Sequence, residues 1–207
     1  MQYRFITIEG NIGAGKTTLA IKLAEHLQAK LILEEFADNP FLPKFYAEPE
    51  QYAFPLELFF MAERYKQLKE MLGTRDLFST HTVSDYLFIK SLLFAKMNLK
   101  EDEFSLYQKL FDIINPQLAQ PDLLIYLHAP VSKLQQNIKK RNRSYEQQIP
   151  DSYLANVQDM YSQFIRQHPV RTLLVDTTEM DFLHRPEDFQ TLLAALETDY
   201  PVGITYL

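Results

Sequence analysis

The stretch GNIGAGKTT, residues 10–18, decides the fold class of this 207-residue chain. It fills the pattern G-x-x-x-x-G-K-[ST] with Gly10, Gly15, Lys16 and Thr17. A strand-like run at residues 5–8 precedes it and a helical pattern follows it, which is the context that a phosphate-binding loop requires. The glycine order also differs from the G-x-G-x-x-G of dinucleotide-binding folds. The stretch therefore predicts a loop that binds the phosphates of a nucleotide.

Backbone N–H groups of such a loop, together with the helix N-terminus, surround the phosphates. We expect the whole stretch to contact ATP, through Gly10, Asn11, Ile12, Gly13, Ala14, Gly15, Lys16, Thr17 and Thr18. Lys16 supplies positive charge to the outer phosphates, and the Thr17 hydroxyl is a ligand for Mg²⁺. The loop does not define the reaction, because motors, GTPases and small-molecule kinases share it.

Short apolar segments alternate with helical patterns along the whole chain. The strands are predicted at residues 5–8, 31–33, 82–83, 122–127 and 171–175. The helices are predicted at residues 17–28, 51–72, 86–97, 103–114, 132–141, 152–167 and 186–197. Continuously apolar short strands are typical of a parallel sheet covered on both faces. The alternation predicts an α/β fold of the P-loop NTPase type, in which one domain over residues 1–207 holds a five-stranded parallel sheet between helices.

Composition narrows the class of protein. The net charge is −6 and the pI is about 5.4, and the main basic run is residues 139–143, so a nucleic-acid surface is not expected. Cysteine is absent, which excludes disulfides and thiolate metal sites. No apolar stretch approaches the ~20 residues of a membrane span, and the N-terminus lacks a signal-peptide pattern. We expect a cytoplasmic protein without a membrane partner.

Two carboxylates follow the second predicted strand, in LILEEFADNPF at residues 31–41. In open parallel sheets, ligands bind beyond the carboxyl ends of the strands. Glu34 or Glu35 would therefore face the phosphate loop and accept the proton of an attacking hydroxyl. The alternative interpretation is a solvated acidic turn.

At this point the sequence resembles the bacterial deoxynucleoside kinases. The resemblance is carried by Glu34 with FADNPFL at 36–42, by PEQYAFPLELFFMAERYKQL at 49–68, and by RNRSYEQQIPDSYL at 141–154. It extends from residue 5 to about residue 190. It implies ATP-dependent phosphorylation of the 5′-hydroxyl of a deoxyribonucleoside, with Mg²⁺, in nucleoside salvage. It also implies a five-stranded parallel sheet, a lid near residues 139–149 and a homodimer.

The same resemblance assigns roles to individual residues. Glu34 matches the general base, and Arg141 and Arg143 match lid arginines that contact the transferred phosphate. The pair that holds the sugar 3′-hydroxyl corresponds to Tyr46 and Glu146, and the residues that read the nucleobase correspond to Glu57 and Arg64. Independently of the family, arginine suits bidentate phosphate contacts, and Glu57 and Arg64 are two helical turns apart on one face. Alternatively, residues 139–143 are only the charged end of a helix, and Glu57 and Arg64 form a surface ion pair.

The third strand departs from the family pattern. Many members carry an acidic residue, arginine and serine there, whereas this chain has Ser84-Asp85-Tyr86. In one register Asp85 is a ligand of Mg²⁺ or of its water, together with Thr17. In the other register Asp85 and Lys90 belong to the nucleoside side of the site. The missing arginine leaves its role in transition-state stabilisation to Arg64 or the lid.

Position 57 is a glutamate where glutamine is common in the family. An ionised carboxylate only accepts hydrogen bonds, and guanine presents two adjacent donors, N1–H and the N2 amino group. Arg64 and Lys90 are candidate donors to the acceptor atoms of guanine. The sequence therefore favours purines, with deoxyguanosine first.

Three alternatives stay open from the sequence. A thymidylate kinase would carry an Asp-Arg motif at the third strand and an arginine near the second, and neither is evident. A regulatory nucleotide switch would need an N-K-x-D segment, which is absent. A non-catalytic protein that merely keeps the fold would lose nothing essential on substitution of Lys16.

Overall fold

The computed structural model describes residues 2–34, 39–73, 80–168 and 170–207. The strands are β1 (Phe5–Gly10), β2 (Lys30–Ile32), β3 (Thr82–Ser84), β4 (Leu123–His128), β5 (Arg171–Asp176) and β6 (Gly203–Tyr206). The helices are α1 (Lys16–Leu27), α2 (Leu42–Ala47), α3 (Pro49–Gly73), α4 (Lys90–Asn98), α5 (Glu101–Ile114), α6 (Val131–Arg141), α7 (Asp151–Gln167) and α8 (Pro186–Ala195). Two short 3₁₀ turns lie at Asn115–Gln117 and Ser144–Glu146.

The strands form one parallel sheet in the order β2-β3-β1-β4-β5-β6. β1 lies in the interior of this sheet and pairs with β3 on one side and with β4 on the other. The phosphate loop follows β1, so it emerges from the middle of the sheet's carboxyl edge. The α/β class and the parallel sheet predicted from the sequence are confirmed.

Helices cover both faces of the sheet, as alternating side chains along β4 illustrate. Leu123, Ile125 and Leu127 pack on the face covered by α1, α6 and α8. Leu124 and Tyr126 point to the opposite face and pack against α7. A third apolar cluster joins α3, α4 and α5 beside the β2 edge. Both faces are therefore buried, which explains why the strands read as continuous apolar runs.

Within the described part of the chain the sheet has six strands, and the prediction of five missed β6. This strand is short, follows Pro201 at the end of the chain, and is only partly buried. It therefore lacks the continuous apolar signal by which the other five were recognised. Helix α2 was also missed, because six residues give too little periodicity to detect.

Helix α4 begins at Lys90 and not at residue 86 as predicted. The Ser84 hydroxyl donates to the Tyr86 carbonyl and accepts from the Tyr86 N–H, which holds the chain in a turn. Local side-chain hydrogen bonds of this kind compete with helix formation. The apolar spacing after Asp85 therefore correctly predicted buried residues, but it wrongly predicted that the helix begins there.

Among the described residues, none of the helices combines the length and the apolar character needed to cross a bilayer.

Candidate active site

The phosphate loop depends on three glycines with positive φ. Gly10, Gly13 and Gly15 have φ angles of 153°, 80° and 90°. A Cβ at Gly10 would lie 2.6 Å from the Leu127 carbonyl oxygen, and one at Gly13 would lie 2.8 Å from that of Leu134. The loop therefore packs its backbone directly against β4 and α6, and its shape admits no side chain at these two positions.

Side chains around the loop fix its position. The Asn11 amide donates to the Leu154 carbonyl at 2.7 Å, and the Asn137 amide donates to the Gly13 carbonyl at 2.8 Å. The Lys16 ammonium donates to the Gly10 and Asn11 carbonyls, each at 2.9 Å. Burial and the neighbouring Lys90 cation lower the pKa of Lys16 to about 8. A bound anion would relieve both effects, so this lysine is placed to gain from phosphate binding.

A deep cleft adjoins the loop at the carboxyl edge of the sheet. Its lining includes all the residues predicted to be catalytic or to bind the nucleoside, namely Glu34, Tyr46, Glu57, Arg64, Asp85, Lys90, Arg141, Arg143 and Glu146. Lys16 and Thr17 of the phosphate loop also line it. Aromatic side chains, among them Phe45, Phe60 and Phe94, supply its apolar walls. The fold thus brings together residues that are as far apart in the chain as Lys16 and Glu146, which are 130 positions apart.

Glu34, directly after β2, is held by two cations. The Arg64 guanidinium donates through Nε to Glu34 Oε1 at 2.8 Å, and its Nη2 lies 2.6 Å from the same oxygen. The Lys90 ammonium lies 2.7 Å from Glu34 Oε2. Burial alone raises the pKa of Glu34, but Lys90 and Arg64 reverse this and hold it well below its usual range. Glu34 is therefore ionised across the physiological pH range. The contacts to both of its oxygens also hold its carboxylate in one orientation.

Glu35, the other carboxylate of this motif, lies outside the described residues, as do Phe36, Ala37 and Asp38.

Asp85 lies between the phosphate loop and Glu34. Its Oδ2 accepts from the Thr17 hydroxyl, and its Oδ1 accepts from the Glu34 backbone N–H at 2.7 Å. Ser84, the other residue that could take the acidic position of the family motif, is fully buried and bonds to Tyr86. Asp85 thus lies next to Thr17 of the phosphate loop, whereas Lys90 contacts Glu34, the carboxylate that Arg64 also holds.

Glu57 and Arg64 occupy one face of α3, as their spacing predicts, but they do not form a surface ion pair. Both are buried, with exposed fractions of 2% and 4%. Glu57 Oε1 accepts from the Asn98 amide at 2.8 Å, whereas Arg64 reaches Glu34 and the Ser91 hydroxyl. The Arg64 guanidinium also stacks over the Phe60 ring at 4.8 Å. Burial raises the pKa of Glu57 to about 7, against the lowering effect of the Asn98 hydrogen bond.

The predicted lid follows α6 and closes one side of the cleft. Asn142, in the left-handed conformation, ends α6 between the two lid arginines. Arg141 and Arg143 both contact Glu146, the first through Nη2 to Oε2 and the second through Nη1 to Oε1 at 3.3 Å. Glu146 is buried, and the neighbouring Tyr145 ring stacks on Tyr46 at 6.1 Å. The lid arginines and the two residues predicted to hold the sugar therefore form one connected group.

A family model described as "Deoxynucleoside kinase" matches residues 6–199. This chain belongs to the deoxynucleoside kinase family. It is an enzyme that phosphorylates deoxynucleosides, so the resemblance inferred from the motifs is confirmed.

The chain is similar to proteins named as deoxyguanosine kinases and as deoxyadenosine kinases. A deoxyguanosine kinase from Bacillus subtilis is 37% identical over 198 residues, which cover 92% of this chain and 94% of that protein. A deoxyadenosine kinase from Dictyostelium discoideum is 33% identical over 78% of this chain and 66% of that protein. A solved structure of a deoxyadenosine kinase from M. mycoides aligns with a TM-score of 0.81 at 23% identity, covering 93% of this chain and 98% of that chain. This last likeness supports the fold.

Three further residues of the kinase were not singled out from the sequence. Glu9, the buried acid of β1, accepts from the Leu87 N–H and the Tyr161 hydroxyl, each at 2.8 Å. The signal in the sequence was a glutamate inside the largely apolar strand FITIEG, where a buried carboxylate needs hydrogen-bond partners. Asn98 and Tyr153 also line the cleft. Asn98 belongs to no pattern in the sequence, and Tyr153 lies in the stretch 141–154 that carries the resemblance but was given no role.

Proposed function

We propose that this kinase transfers the γ-phosphoryl group of ATP to the 5′-hydroxyl of deoxyguanosine. The observation that carries the proposal is a buried carboxylate, Glu57, in the same cleft as the phosphate loop and Glu34. The loop receives the donor, Glu34 receives the acceptor hydroxyl, and Glu57 reads the base. The walls formed by Phe45, Phe60 and Phe94 suit a planar base between them.

The preference for guanine follows from the donors and acceptors on each base. An ionised Glu57 accepts from both N1–H and the N2 amino group of guanine. Adenine and cytosine place a ring acceptor beside their amino donor, so one carboxylate oxygen would face a lone pair at a cost of several kcal/mol. Arg64 and Lys90 are paired with Glu34, and they line the same cleft as Glu57. Their positive charge favours the acceptor atoms of guanine.

Glu34 orients the 5′-hydroxyl and accepts its proton. Its low pKa makes it a weak base, but the phosphoryl-transfer transition state is loose and demands positioning more than proton removal. Arg64 and Lys90 fix both carboxylate oxygens, so the direction of the accepting lone pairs is set before the substrate binds. The two cations also supply the positive charge that the missing third-strand arginine would have given.

Mg²⁺ would be held by Asp85 and Thr17. These are hard oxygen donors, and their mutual hydrogen bond sets them side by side next to the phosphate loop. Such a donor set fits Mg²⁺, which retains waters and takes one or two carboxylates together with phosphate oxygens. When bound, the ion neutralises charge on the phosphates of the donor.

Arg141 and Arg143 contact the transferred phosphoryl group when the lid closes. Arginine matches phosphate oxygens in a bidentate manner, and a closed lid excludes water and so limits hydrolysis of ATP. Glu146 and Tyr46 hold the 3′-hydroxyl of the sugar. The contacts of both arginines with Glu146 support this grouping of lid and sugar site.

The kinase acts as a homodimer in cytoplasmic nucleoside salvage. Leu106, Leu110 and Ile113 lie on one exposed face of α5, with spacings of four and three residues. A continuous apolar helical face of this kind supports burial against a second copy.

Deoxyadenosine is the second candidate substrate. The raised pKa of Glu57 means that its carboxyl group is partly protonated near neutral pH. A protonated carboxyl group donates and accepts, as glutamine does, and so matches the adenine edge.

The substitution Glu57→Gln tests the proposal. The amide should lower kcat/KM for deoxyguanosine by about tenfold or more and improve deoxyadenosine relative to it, because one acceptor becomes a donor. Initial rates with both purines give the ratio, and Glu63→Gln on the same helix is the matched control. A wild-type preference for deoxycytidine or thymidine, or an unchanged purine ratio in Glu57→Gln, would contradict the proposed substrate.

A further inference from the structure

We infer that Asn98 is a specificity-determining positioning residue, which holds Glu57 as a hydrogen-bond acceptor and thereby favours guanine over adenine. The inference rests on the proposed role of Glu57 in reading the base. Asn98 acts through Glu57, so it is expected to change the choice between substrates more than the rate of phosphoryl transfer itself.

The contact that carries the inference joins two helices across the cleft. Asn98 is the last residue of α4, and its Nδ2 donates to Glu57 Oε1 on α3 at 2.8 Å. The donor leaves Glu57 Oε2 and one lone pair of Oε1 for a base. Tyr153 of α7 lines the same cleft as Asn98 and Glu57. The amide donor of Asn98 is thus directed at the carboxylate.

The Asn98 hydrogen bond favours the ionised form of Glu57. A hydrogen bond from an amide N–H stabilises an ionised carboxylate more than it stabilises a protonated carboxyl group. Burial acts in the opposite direction and raises the pKa of Glu57 to about 7, so the carboxyl group is balanced between its two forms near neutral pH. The Asn98 hydrogen bond is the largest of the effects that lower this pKa.

The other groups that face Glu57 come from every element packed around it. Arg64 on α3 and Lys90 on α4 favour the ionised form, whereas Glu34 after β2 disfavours it. Tyr107 on α5 donates to the Glu57 backbone carbonyl at 3.2 Å, and Tyr153 on α7 lines the same cleft.

Burial raises the pKa of both phenols, so they stay neutral. Arg64 and Lys90 are already engaged by Glu34, and Asn98 is the direct hydrogen-bond donor to the Glu57 carboxylate.

The two forms of Glu57 match different purines. The ionised form accepts from guanine N1–H and N2–H. The protonated form donates to adenine N1 and accepts from the adenine N6 amino group. Removing the Asn98 donor therefore shifts Glu57 toward the form that pairs with adenine. The ratio of kcat/KM for deoxyguanosine to that for deoxyadenosine reports this shift directly.

The test measures that ratio from about pH 6 to about pH 9, a range that spans the titration of Glu57. It compares wild type, Asn98→Ala, the isosteric Asn98→Asp, Glu57→Gln, and the control Lys96→Ala on the exposed face of α4. In wild type the ratio should rise with pH as Glu57 ionises. In Asn98→Ala we expect a ratio about tenfold lower near neutral pH and a midpoint about one pH unit higher. Asn98→Asp should lower the ratio and raise the midpoint further. In Glu57→Gln the ratio should be independent of pH, and in Lys96→Ala the ratio and the midpoint should match those of wild type.

The outcomes separate this inference from the proposed function. If Glu57→Gln changes the ratio but both Asn98 variants keep the wild-type ratio and midpoint, Asn98 does not position Glu57 and this inference alone fails. If Glu57→Gln also leaves the ratio unchanged, Glu57 does not read the base and both fail. Thermal unfolding followed by circular dichroism identifies any Asn98 variant that is misfolded, and the ratio is unaffected by the fraction of active enzyme. An equal loss of activity with both purines, at an unchanged ratio, would assign Asn98 a purely structural role.

Discussion

The phosphate loop and the nucleoside cleft are built in different ways. The loop is one continuous stretch, and its shape comes from backbone conformations that glycine permits at Gly10, Gly13 and Gly15. The cleft is assembled from charged side chains on separate elements, and several of these, such as Glu57 and Arg64, are almost fully buried. A local motif is therefore sufficient to specify the first region, whereas the second exists only in the folded chain.

The two regions should also respond differently to substitution. Lys16 in the loop contacts backbone carbonyls and is placed for phosphate, so its loss should affect catalysis with little effect on folding. Glu34 in the cleft balances two buried cations, so its loss should affect catalysis and stability together.

Substitution Lys16→Ala should lower kcat by about 10³-fold, because it removes the cation that stabilises charge on the transferred phosphate. Deoxynucleoside binding should persist, since Lys16 makes its contacts in the loop and not at Glu57. Steady-state rates and calorimetric binding of deoxyguanosine measure the two effects. Lys66→Ala, which removes an exposed lysine on α3 outside the cleft lining, is the matched control. Near wild-type activity in Lys16→Ala would show that the loop does not serve catalysis.

Substitution Glu34→Gln should lower kcat by about 10²-fold while nucleoside binding survives. It should also lower the free energy of unfolding by about 3 kcal/mol, because Arg64 and Lys90 lose their buried partner. Steady-state rates measure the loss of kcat, and denaturant unfolding measures the loss of stability. The matched comparison is Glu35→Gln, which alters the adjacent carboxylate. If Glu35→Gln is inactive and Glu34→Gln is near wild type, the base is Glu35.

Removal of the substrate 3′-hydroxyl tests Tyr46 and Glu146. We expect 2′,3′-dideoxyguanosine to be a poorer substrate than deoxyguanosine by about 50-fold in kcat/KM, because the polar groups that bind the hydroxyl would stay unpaired. The same comparison in Glu146→Gln should show a smaller difference. Equal kcat/KM values for the two substrates in wild type would remove the assignment of both residues to the sugar.

Substitution Glu57→Gln should raise stability at alkaline pH, by about 2 kcal/mol relative to wild type. The pKa of Glu57 is about 7 in the folded state, above its ordinary value of 4.5. Its contribution to stability is therefore complete below about pH 4.5 and is lost as the pH rises through about 7. Unfolding measured at about pH 5 and at about pH 8.5 should give a difference between variant and wild type that grows with pH. A pH-independent difference would mean that Glu57 is not perturbed by burial.

The sequence predicted most of the fold and the phosphate loop because both depend on local patterns. Continuous apolar runs marked five strands, and glycine spacing with Lys16 and Thr17 marked the loop. The partly buried strand β6 and the short helix α2 carried too weak a pattern. The turn after Ser84 was missed because its side-chain hydrogen bonds to Tyr86 do not alter the apolar spacing.

In the cleft, the motifs identified single residues but not their partners. The sequence placed Glu34, Arg64 and Lys90 at the site, and their arrangement around one carboxylate appeared only in three dimensions. Asn98 had no signal, since it acts through a contact between α3 and α4. Residues whose role depends on a neighbour from another element are therefore the ones that sequence patterns miss.

Initial rates with each of the four deoxynucleosides, with ATP as donor and Mg²⁺ present, show which base the cleft selects. We expect the highest kcat/KM for deoxyguanosine and the second highest for deoxyadenosine, because the Glu57 carboxylate matches the donors of guanine and, when protonated, the edge of adenine. A higher kcat/KM for deoxycytidine or thymidine than for either purine would contradict this expectation.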